Sequence, residues 1–361
     1  MSTRPRVGIV GTGFMGRVHA RAVTAIGGRV AAVLGSSPER TAAARWPGAR
    51  AAVDLDDLLA AGVDAVHLCT PNHLHARDAE RIIAAGVPVV CEKPLATTVA
   101  DAERLTAAAE ATGLVTAVPF VYRYHPLVRE ARARIAADPD AGLWLLHGSY
   151  LQDWLGDRTA DNWRVHPELG GETRTFGDIG VHWCDLMEYV TGHRITRVLA
   201  RFGRAFAERG PAGARTAVAT EDGAVITFET DRGAIGSLAV SQASAGRKNR
   251  LWFSFDGPDR SYAFDQEDPE QLWIGGRDAT TVLRRDPALH SAHADRFDPL
   301  PAGHPQGYRT CFEDFVADVC AALDGHPADG LPTFADGLRA ARISAAVTVS
   351  AVHGTFTEVP R

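Results

Sequence analysis

Residues 7–16 read VGIVGTGFMG, an apolar run of strand type that leads directly into three spaced glycines. The pattern predicts a strand, a tight turn and then a helix over about Phe14–Ile26. Gly11 allows the turn, Gly13 lets the backbone approach a pyrophosphate, and Gly16 lets the helix pack on the strand. The helix start offers N–H groups and a positive dipole to phosphates. The stretch therefore predicts a dinucleotide site made of Gly11, Gly13, Phe14, Met15 and Gly16.

The alternation of strand-like and helical patterns continues through the first 120 residues. Short apolar runs at Arg29–Leu34, Ala65–Cys69 and Val87–Cys91 alternate with helical patterns, one of which stops at Gly113. Strands that alternate with helices imply βαβ units and a parallel sheet covered on both faces. We therefore expect an α/β dinucleotide-binding domain over residues 1–122.

The pattern changes near Phe120, where strand-like runs begin to follow one another without intervening helices. Turns such as Asp231-Arg232-Gly233 suit antiparallel pairs. We therefore expect a second domain of α+β type over residues 123–361, with helices on a sheet. Its predicted strands are Leu143–Leu151, Ile195–Phe206, Ala217–Thr230, Ala234–Ser241, Arg250–Phe255 and Ser261–Asp265, and its predicted helices are Tyr124–Ala137, Asp178–Thr191, Tyr308–Leu323 and Asp336–Val352.

The composition argues against several classes of protein. The chain has 361 residues, 45% of them hydrophobic, and a formal net charge of −6 with no basic block, which gives a nucleic-acid partner little support. No apolar run approaches the ~20 residues of a membrane helix. Five scattered cysteines without a CxxC pair, and no leader before the first strand, predict reduced thiols and a cytoplasmic protein. His290, His293 and His304 lack a compact ligand spacing, so no metal is expected.

The end of the second predicted strand lacks the acidic residue that binds the ribose of NAD. The chain has Gly35-Ser36-Ser37-Pro38-Glu39-Arg40 there, and small hydroxyls with a nearby arginine suit a 2′-phosphate. We therefore expect NADP in preference to NAD, held by Ser36, Ser37 and Arg40. An alternative is that Ser37 only caps the next helix and that Arg40 is only solvated.

Two further groups of residues carry chemistry. Cys91-Glu92-Lys93-Pro94 lies at the carboxyl end of a strand, where ligands of such sheets bind, and a lysine there can stabilise charge on a substrate oxygen. Asp178 and His182 are four residues apart and share one helix face, so the carboxylate can orient the imidazole as a general acid/base. The alternatives are a solvated lysine and an ordinary surface pair. Thr70-Pro71-Asn72-His73-Leu74-His75 follows another strand, and its histidines either line the cofactor site or cap a helix.

Together these residues resemble the Gfo/Idh/MocA family of oxidoreductases. The marks are Gly11–Gly16, Thr70-Pro71-Asn72-x-x-His75, Glu92-Lys93-Pro94 and Asp178-x-x-x-His182-x-x-Asp185, and the resemblance covers almost the whole chain. It implies an N-terminal Rossmann domain with a doubly wound parallel sheet. It also implies a C-terminal α+β domain with a large, mostly antiparallel open sheet, whose exposed face commonly builds homodimers or homotetramers.

The resemblance also implies roles for residues. Lys93 contacts the reacting oxygen, His182 exchanges its proton, and Asp178 helps hold the substrate and the histidine. The nicotinamide ribose lies along Thr70, Pro71, Asn72, His75, Glu92 and Lys93.

A narrower resemblance points to the inositol dehydrogenase and levoglucosan dehydrogenase branch. It is carried by Tyr150-Leu151-Gln152-Asp153-Trp154 and Trp163-Arg164, while Tyr122-Arg123 occupies a place that often carries a polar substrate contact. Aromatic faces with polar partners suit a sugar ring, although the tryptophans could equally be core or interface residues. Glu172 and Arg174 depart from the family's glycine run, and either recognise a substituent or form a loop ion pair.

The expected function is therefore NAD(P)-dependent hydride transfer between a nicotinamide and a secondary alcohol or ketone of a sugar, anhydrosugar or cyclitol. The reaction direction stays open, as do related reactions on an imine or an aromatic dihydrodiol. The alternative from another class is a non-catalytic regulator that senses the dinucleotide with the same fold.

Overall fold

The structure of the chain is a computed structural model. It describes residues 4–44, 46–138, 142–160, 162–289, 291, 294, 296–326 and 328–361. His290 and His293, named above as unsuited to a metal, lie outside the described residues.

The chain divides into two compact units, and each takes two stretches of sequence. The first unit holds residues 1–121 and 308–341, and the second holds residues 122–307 and 342–361. The expected division into 1–122 and 123–361 thus lies within one residue of the first break. It is corrected at the other end, because residues 308–341 return to the first unit.

Contacts within the first unit explain this return. Helix Tyr308–Leu323 packs on the first helix of the chain, where the ring of Phe312 meets the ring of His19 edge-on at 5.2 Å between centroids. Farther along, the Val118 N–H donates to the carbonyl of Pro332 at 3.0 Å. The sequence pattern predicted the helix but not which sheet it would cover.

The first unit is a doubly wound parallel sheet, as expected. Its strand order is β3-β2-β1-β4-β5-β6, the order of a dinucleotide-binding fold, and every pair is parallel. Its strands are β1 (Arg6–Val10), β2 (Arg29–Leu34), β3 (Arg50–Ala51), β4 (Ala65–Leu68), β5 (Val89–Cys91) and β6 (Thr116–Ala117), and the helices between them are α1 (Phe14–Ala25), α2 (Pro38–Ala43), α3 (Leu55–Leu59), α4 (His75–Ala84) and α5 (Val99–Thr112).

The second unit is built on a mixed, mostly antiparallel sheet, which confirms the expected fold class. In the described parts of the chain it has nine strands in the order β16-β15-β14-β13-β7-β12-β11-β8-β17, and only β7 and β12 run parallel. The strands are β7 (Leu145–Leu151), β8 (Ile195–Gly203), β11 (Gly223–Thr230), β12 (Ile235–Ser241), β13 (Arg250–Asp256), β14 (Arg260–Asp265), β15 (Gln271–Gly276), β16 (Thr280–Arg284) and β17 (Thr357–Glu358), and β9 (Glu208–Arg209) pairs separately with β10 (Thr216–Ala217).

Helices cover one face of this sheet. A Cβ on Gly148 of β7 would overlap the indole of Trp183, so glycine allows the helix that carries Trp183 to approach the strand closely. The Trp183 indole N–H donates to the backbone carbonyl of Trp252 at 2.9 Å, which fixes the helix on the sheet. Among the described residues, the α-helices after β6 are α6 (Pro126–Ala137), α7 (Pro167–Gly170), α8 (Val181–Thr191), α9 (Tyr308–Leu323), which belongs to the first unit, and α10 (Phe334–His353).

The opposite face of the sheet carries exposed apolar side chains. Val225 on β11 is 59% exposed and Ile235 on β12 is 52% exposed, while their neighbours Phe228 and Leu238 are buried beneath the helices. Trp273 on β15 is also exposed. In the described parts of the chain, no helix has the length and apolar character needed to cross a membrane.

Candidate active site

The glycine turn has the geometry that a pyrophosphate site requires. Gly11 has φ +105°, a conformation that favours glycine, and a Cβ on Gly16 would overlap the carbonyl oxygen of Gly11. A Cβ on Gly13 would meet nothing within 4 Å, and no side chain caps the start of α1 in this described stretch. The turn therefore presents α1 N–H groups next to open space, which fits a dinucleotide phosphate.

The segment after β2 holds no carboxylate before Glu39. The Ser37 hydroxyl caps α2 by accepting from the Arg40 N–H at 3.3 Å, so this residue has the capping role. A hydrogen bond from Ser37 lowers the pKa of the Glu39 carboxyl. Ser36 and Arg40 are exposed, and both are therefore accessible to a ligand.

The Thr70–His75 stretch follows β4 at the carboxyl edge of the sheet. The His75 ring lies between two backbone carbonyls, with Nδ1 at 2.7 Å from the Pro94 oxygen and Nε2 at 2.9 Å from the Thr70 oxygen. Burial lowers the pKa of this histidine. His75 thus ties together the loops after β4 and β5, while Pro71 and Asn72 are partly exposed beside it.

Lys93 follows β5 and is partly exposed. The carboxylate of Glu92 points inward, is 5% exposed, and accepts from the Lys93 backbone N–H at 3.1 Å. Its other oxygen lies 3.0 Å from Nε2 of His19. Glu92 is therefore placed to support the backbone of Lys93.

Asp178 lies in a π-helical turn, Phe176–Gly180, that precedes α8. Such wide turns often occur at functional sites. The amide of Gln242, the residue after β12, donates to Asp178 Oδ2 at 2.6 Å, and the Arg164 guanidinium lies 3.4 Å from Asp178 Oδ1. Both carboxylate oxygens therefore have defined neighbours.

A buried ionic cluster holds the segment that leads into the π-helical turn. The carboxylate of Glu221 accepts from the backbone N–H groups of Arg174 and Phe176 at 3.1 and 2.9 Å, and burial raises the pKa of this carboxyl. The Arg174 side chain pairs with Asp222, which also accepts from Arg209 at 2.6 Å. Of the two alternatives for Arg174, the structure supports the ion pair.

His182 is the second residue of α8 and is 8% exposed. Its ring meets the ring of Tyr122 edge-on, with 5.1 Å between centroids, and lies 6.4 Å from the ring of Tyr150. The hydroxyls of Tyr122 and Tyr150 are hydrogen-bonded to each other. The structure thus places the predicted Tyr122 beside His182.

Polar side chains continue from these tyrosines along the end of β7. Asn249 Oδ1 accepts from the Tyr150 hydroxyl and from the Gln152 amide, each at 2.7 Å. Gln152 Oε1 in turn accepts from the Trp154 indole at 2.9 Å, and Trp154 is exposed. An indole face beside amide groups suits a hydroxylated ring.

The charged residues predicted to bind substrate have different partners in the structure. Arg123 forms a bidentate ion pair with Asp185 and is 6% exposed, so its side chain is structural. Asp153 accepts from the Lys248 ammonium at 2.7 Å, which lowers the pKa of the Asp153 carboxyl. The Arg164 guanidinium lies 4.4 Å from the ring of Trp163, within reach of Asp178.

Sequence reasoning missed Gln242, Asn249 and Lys248. Each lies 64 or more residues along the chain from the group that it contacts, so no local spacing points to them. Among the described residues, no group of three His, Cys, Asp or Glu side chains is arranged to hold a metal ion.

Comparisons with known proteins identify the family of the chain. Residues 5–120 match the Gfo/Idh/MocA model of an oxidoreductase family with an NAD-binding Rossmann fold, and residues 128–262 match the model of the Gfo/Idh/MocA C-terminal domain. The levoglucosan dehydrogenase of Pseudarthrobacter phenanthrenivorans is 28% identical over 391 aligned positions, which cover 98% of each protein.

Solved structures of sugar and cyclitol dehydrogenases are also similar to this chain over almost its whole length. A levoglucosan dehydrogenase in complex with NADH and levoglucosan superposes with a TM-score of 0.90 at 27% identity, over 99% of this chain and 100% of that one. An inositol dehydrogenase homologue from Azotobacter vinelandii, in complex with NADH and myo-inositol, gives a TM-score of 0.89 at 26% identity, over 99% and 98% of the two chains.

Proposed function

Since the chain belongs to the Gfo/Idh/MocA family of NAD-binding oxidoreductases, we propose that it interconverts a secondary alcohol and a ketone on a sugar, anhydrosugar or cyclitol. The observation that carries this proposal is Asp178 held by Gln242 one turn before His182, beside a row of tyrosine, amide and indole groups. A nicotinamide dinucleotide supplies or accepts the hydride when it is bound. Gly11, Gly13 and Gly16 hold its pyrophosphate.

The remaining chemistry falls to the chain's own side chains. Lys93 donates to the reacting oxygen and stabilises the negative charge that develops on it. His182 takes the hydroxyl proton in oxidation and returns it in reduction, and Asp178 supports the imidazolium that forms. Tyr122 fixes the position of the imidazole through its edge-on ring contact.

We also propose that the substrate ring stacks on an indole and is recognised by amides. Trp154 is exposed and is linked through Gln152 to Asn249, while Arg164 is held between Trp163 and Asp178. This combination suits a ring with an apolar C–H face and several hydroxyls. The relatives named above, which act on or bind levoglucosan and myo-inositol, support the same class.

For the cofactor we propose NADP in preference to NAD. The proposal is supported by the exposed Ser36 and Arg40 and by the absence of a carboxylate between the end of β2 and Glu39. The structural relatives in complex with NADH support NAD instead. Calorimetric titration with both dinucleotides decides: equal affinity, or tighter NAD binding, contradicts the preference.

We further propose that the protein is a cytoplasmic homodimer or homotetramer. The exposed apolar face of the nine-stranded sheet supports an assembly of like chains. The five cysteines are free thiols, which suits a reducing compartment.

Lys93→Ala tests the enzyme proposal. With levoglucosan, myo-inositol and L-sorbose as a substrate panel, we expect the wild-type protein to change the absorbance of the reduced nicotinamide. The variant should lose about 100-fold or more in turnover because the donor that stabilises the charge on the reacting oxygen is gone.

The cofactor affinity of Lys93→Ala, measured by calorimetry, serves as the control and should stay close to that of the wild type. Turnover that survives the substitution contradicts the mechanism. A wild-type protein that binds the dinucleotide but turns over no alcohol or ketone is a sensor rather than an enzyme.

A further inference from the structure

Three titratable side chains form a buried chain inside the first unit. They are Glu92 after β5, His19 on α1 and His67 on β4, which are 5%, 0% and 1% exposed. His19 Nε2 lies 3.0 Å from Glu92 Oε1, and His19 Nδ1 lies 2.9 Å from His67 Nδ1. None of the residues proposed for hydride transfer explains why two histidines are buried here.

The hydrogen-bonding capacity of these groups fixes the direction of the Glu92 carboxylate. An ionised carboxylate only accepts, so His19 donates to it from Nε2. The other ring nitrogen of His19, Nδ1, is hydrogen-bonded to Nδ1 of His67, and burial, with the nearby His19, lowers the pKa of His67. With one carboxylate oxygen held by His19, the other accepts from the Lys93 backbone N–H at 3.1 Å.

The position of His19 links two parts of the proposed site. His19 lies on α1, the same helix whose first turn forms the phosphate site. Its ring is packed edge-on against Phe312 of α9, and it therefore has a fixed orientation. The contact with Glu92 connects this helix to the loop that carries Lys93.

We propose that His19 is a positioning residue for Lys93. It orients the Glu92 carboxylate toward the Lys93 backbone N–H and so fixes the segment from which the lysine acts. The inference rests on the proposed function of Lys93, but it concerns a contact that can be tested without turnover. His67 secures the far side of the His19 ring.

The test compares His19→Phe, Glu92→Ala and Glu92→Gln in the full-length protein. His19→Phe keeps a ring of similar size but removes the donor to Glu92. Glu92→Gln keeps an oxygen that accepts from Lys93, and its amide donates to His19 in the other tautomer. His193→Phe is the matched control, because His193 is also a buried histidine, hydrogen-bonded to Thr230 in the second unit.

Two measurements distinguish a displaced Lys93 from a general loss of folded structure. The first is kcat against KM and cofactor Kd, since a displaced lysine lowers kcat by at least about tenfold and leaves binding within about threefold. The second is hydrogen exchange, followed by mass spectrometry, at the amide of Lys93. In the segment Lys93-Pro94 only Lys93 has an N–H, so its exchange reports the bond to Glu92 directly.

We expect His19→Phe and Glu92→Ala to lower kcat and to speed exchange at Lys93. Glu92→Gln should keep exchange at Lys93 slower than Glu92→Ala does, and His193→Phe should stay near the wild type. Unchanged kcat in His19→Phe, or a loss confined to cofactor affinity, overturns the proposal. If His19→Phe does not fold, the two Glu92 variants decide, and equally fast exchange at Lys93 in both overturns it. If the wild type turns over nothing, the proposed function fails, and exchange at Lys93 in His19→Phe then decides the positioning role alone.

Discussion

The amide of Gln242 is fully buried and holds one oxygen of Asp178 at 2.6 Å. Gln242→Leu keeps most of the side-chain volume and removes this donor. A hydrogen bond to a charged group contributes about 1.5–3 kcal/mol, so we expect kcat to fall by about 10- to 100-fold. Steady-state kinetics checks this.

A glutamine on the same sheet provides the control for Gln242. Gln271→Leu on β15 removes a glutamine whose amide contacts only the exposed Asp268 among the contacts described, and it should leave kcat unchanged. If both variants behave alike, Gln242 does not support Asp178.

His125 makes the folded state sensitive to acid. Burial lowers the pKa of its imidazole from 6.5 to about 4. Below pH 6.5 the unfolded chain takes up a proton here and the folded chain does not, so the free energy of unfolding decreases as the pH falls toward 4.

His125→Phe should reduce this sensitivity while keeping the ring stacked on Tyr122. We expect the decrease in unfolding free energy between about pH 7 and about pH 4.5 to shrink by about 2–3 kcal/mol. Urea denaturation at the two pH values measures it. A decrease as large as that of the wild type would show that His125 takes up its proton in the folded state.

The candidate site was predictable from the sequence only where residues act within one segment. The glycine turn and Lys93 were found because each follows the end of a predicted strand. The Asp178–His182 pair was found because its four-residue spacing is that of one helix face. Gln242, Glu221 and Asn249 were not, since each contacts its partner through the pairing of strands far apart in the chain. The role of Arg174 was left open for the same reason, because its partner Asp222 comes 48 residues later.

At the scale of elements, substitutions at two glycines near the start of α1 should affect different properties, stability in one case and dinucleotide binding in the other. Gly16→Ala would place a methyl group on the Gly11 carbonyl, so we expect the first unit to lose several kcal/mol of stability, about 3 or more. Gly13→Ala meets open space and should leave the melting temperature nearly unchanged. It should instead weaken dinucleotide binding about tenfold or more, because the methyl group occupies the space next to the helix N-terminus.

Calorimetry and thermal unfolding of the two glycine variants give this comparison. Equal dinucleotide affinity in Gly13→Ala and the wild type would place the pyrophosphate elsewhere.

Most elements follow from the periodicity of the sequence, and the exceptions have physical causes. Helix Tyr308–Leu323 has the expected bounds, but β15 and β16 were not predicted, since Gly275, Gly276 and several polar residues interrupt the alternation there. The predicted α-helix Asp178–Thr191 begins instead within a π-helical turn, Phe176–Gly180. Its start depends on the Glu221 carboxylate, which no local pattern reveals.

At the scale of the whole molecule, the open sheet face is where we propose that chains associate. Val225→Glu combined with Ile235→Glu puts two like charges on adjacent strands of this face. Burial of charge in an apolar interface is unfavourable, so we expect the double variant to be monomeric by light scattering. Val53→Glu, at an 84% exposed position in the first unit, is the control and should keep the wild-type mass. A double variant of unchanged mass places the interface elsewhere.

The interleaved division of the chain has a consequence for its synthesis. Residues 308–341 complete the first unit, yet they follow the whole of the 122–307 stretch. At ribosomal rates of about 5–20 residues per second, the α1 surface around His19 stays uncovered for on the order of ten to forty seconds before the helix that packs on it is synthesised. The nascent Rossmann sheet is thus exposed while the second sheet is being made, and it is the part of the newborn chain on which we expect chaperones to act.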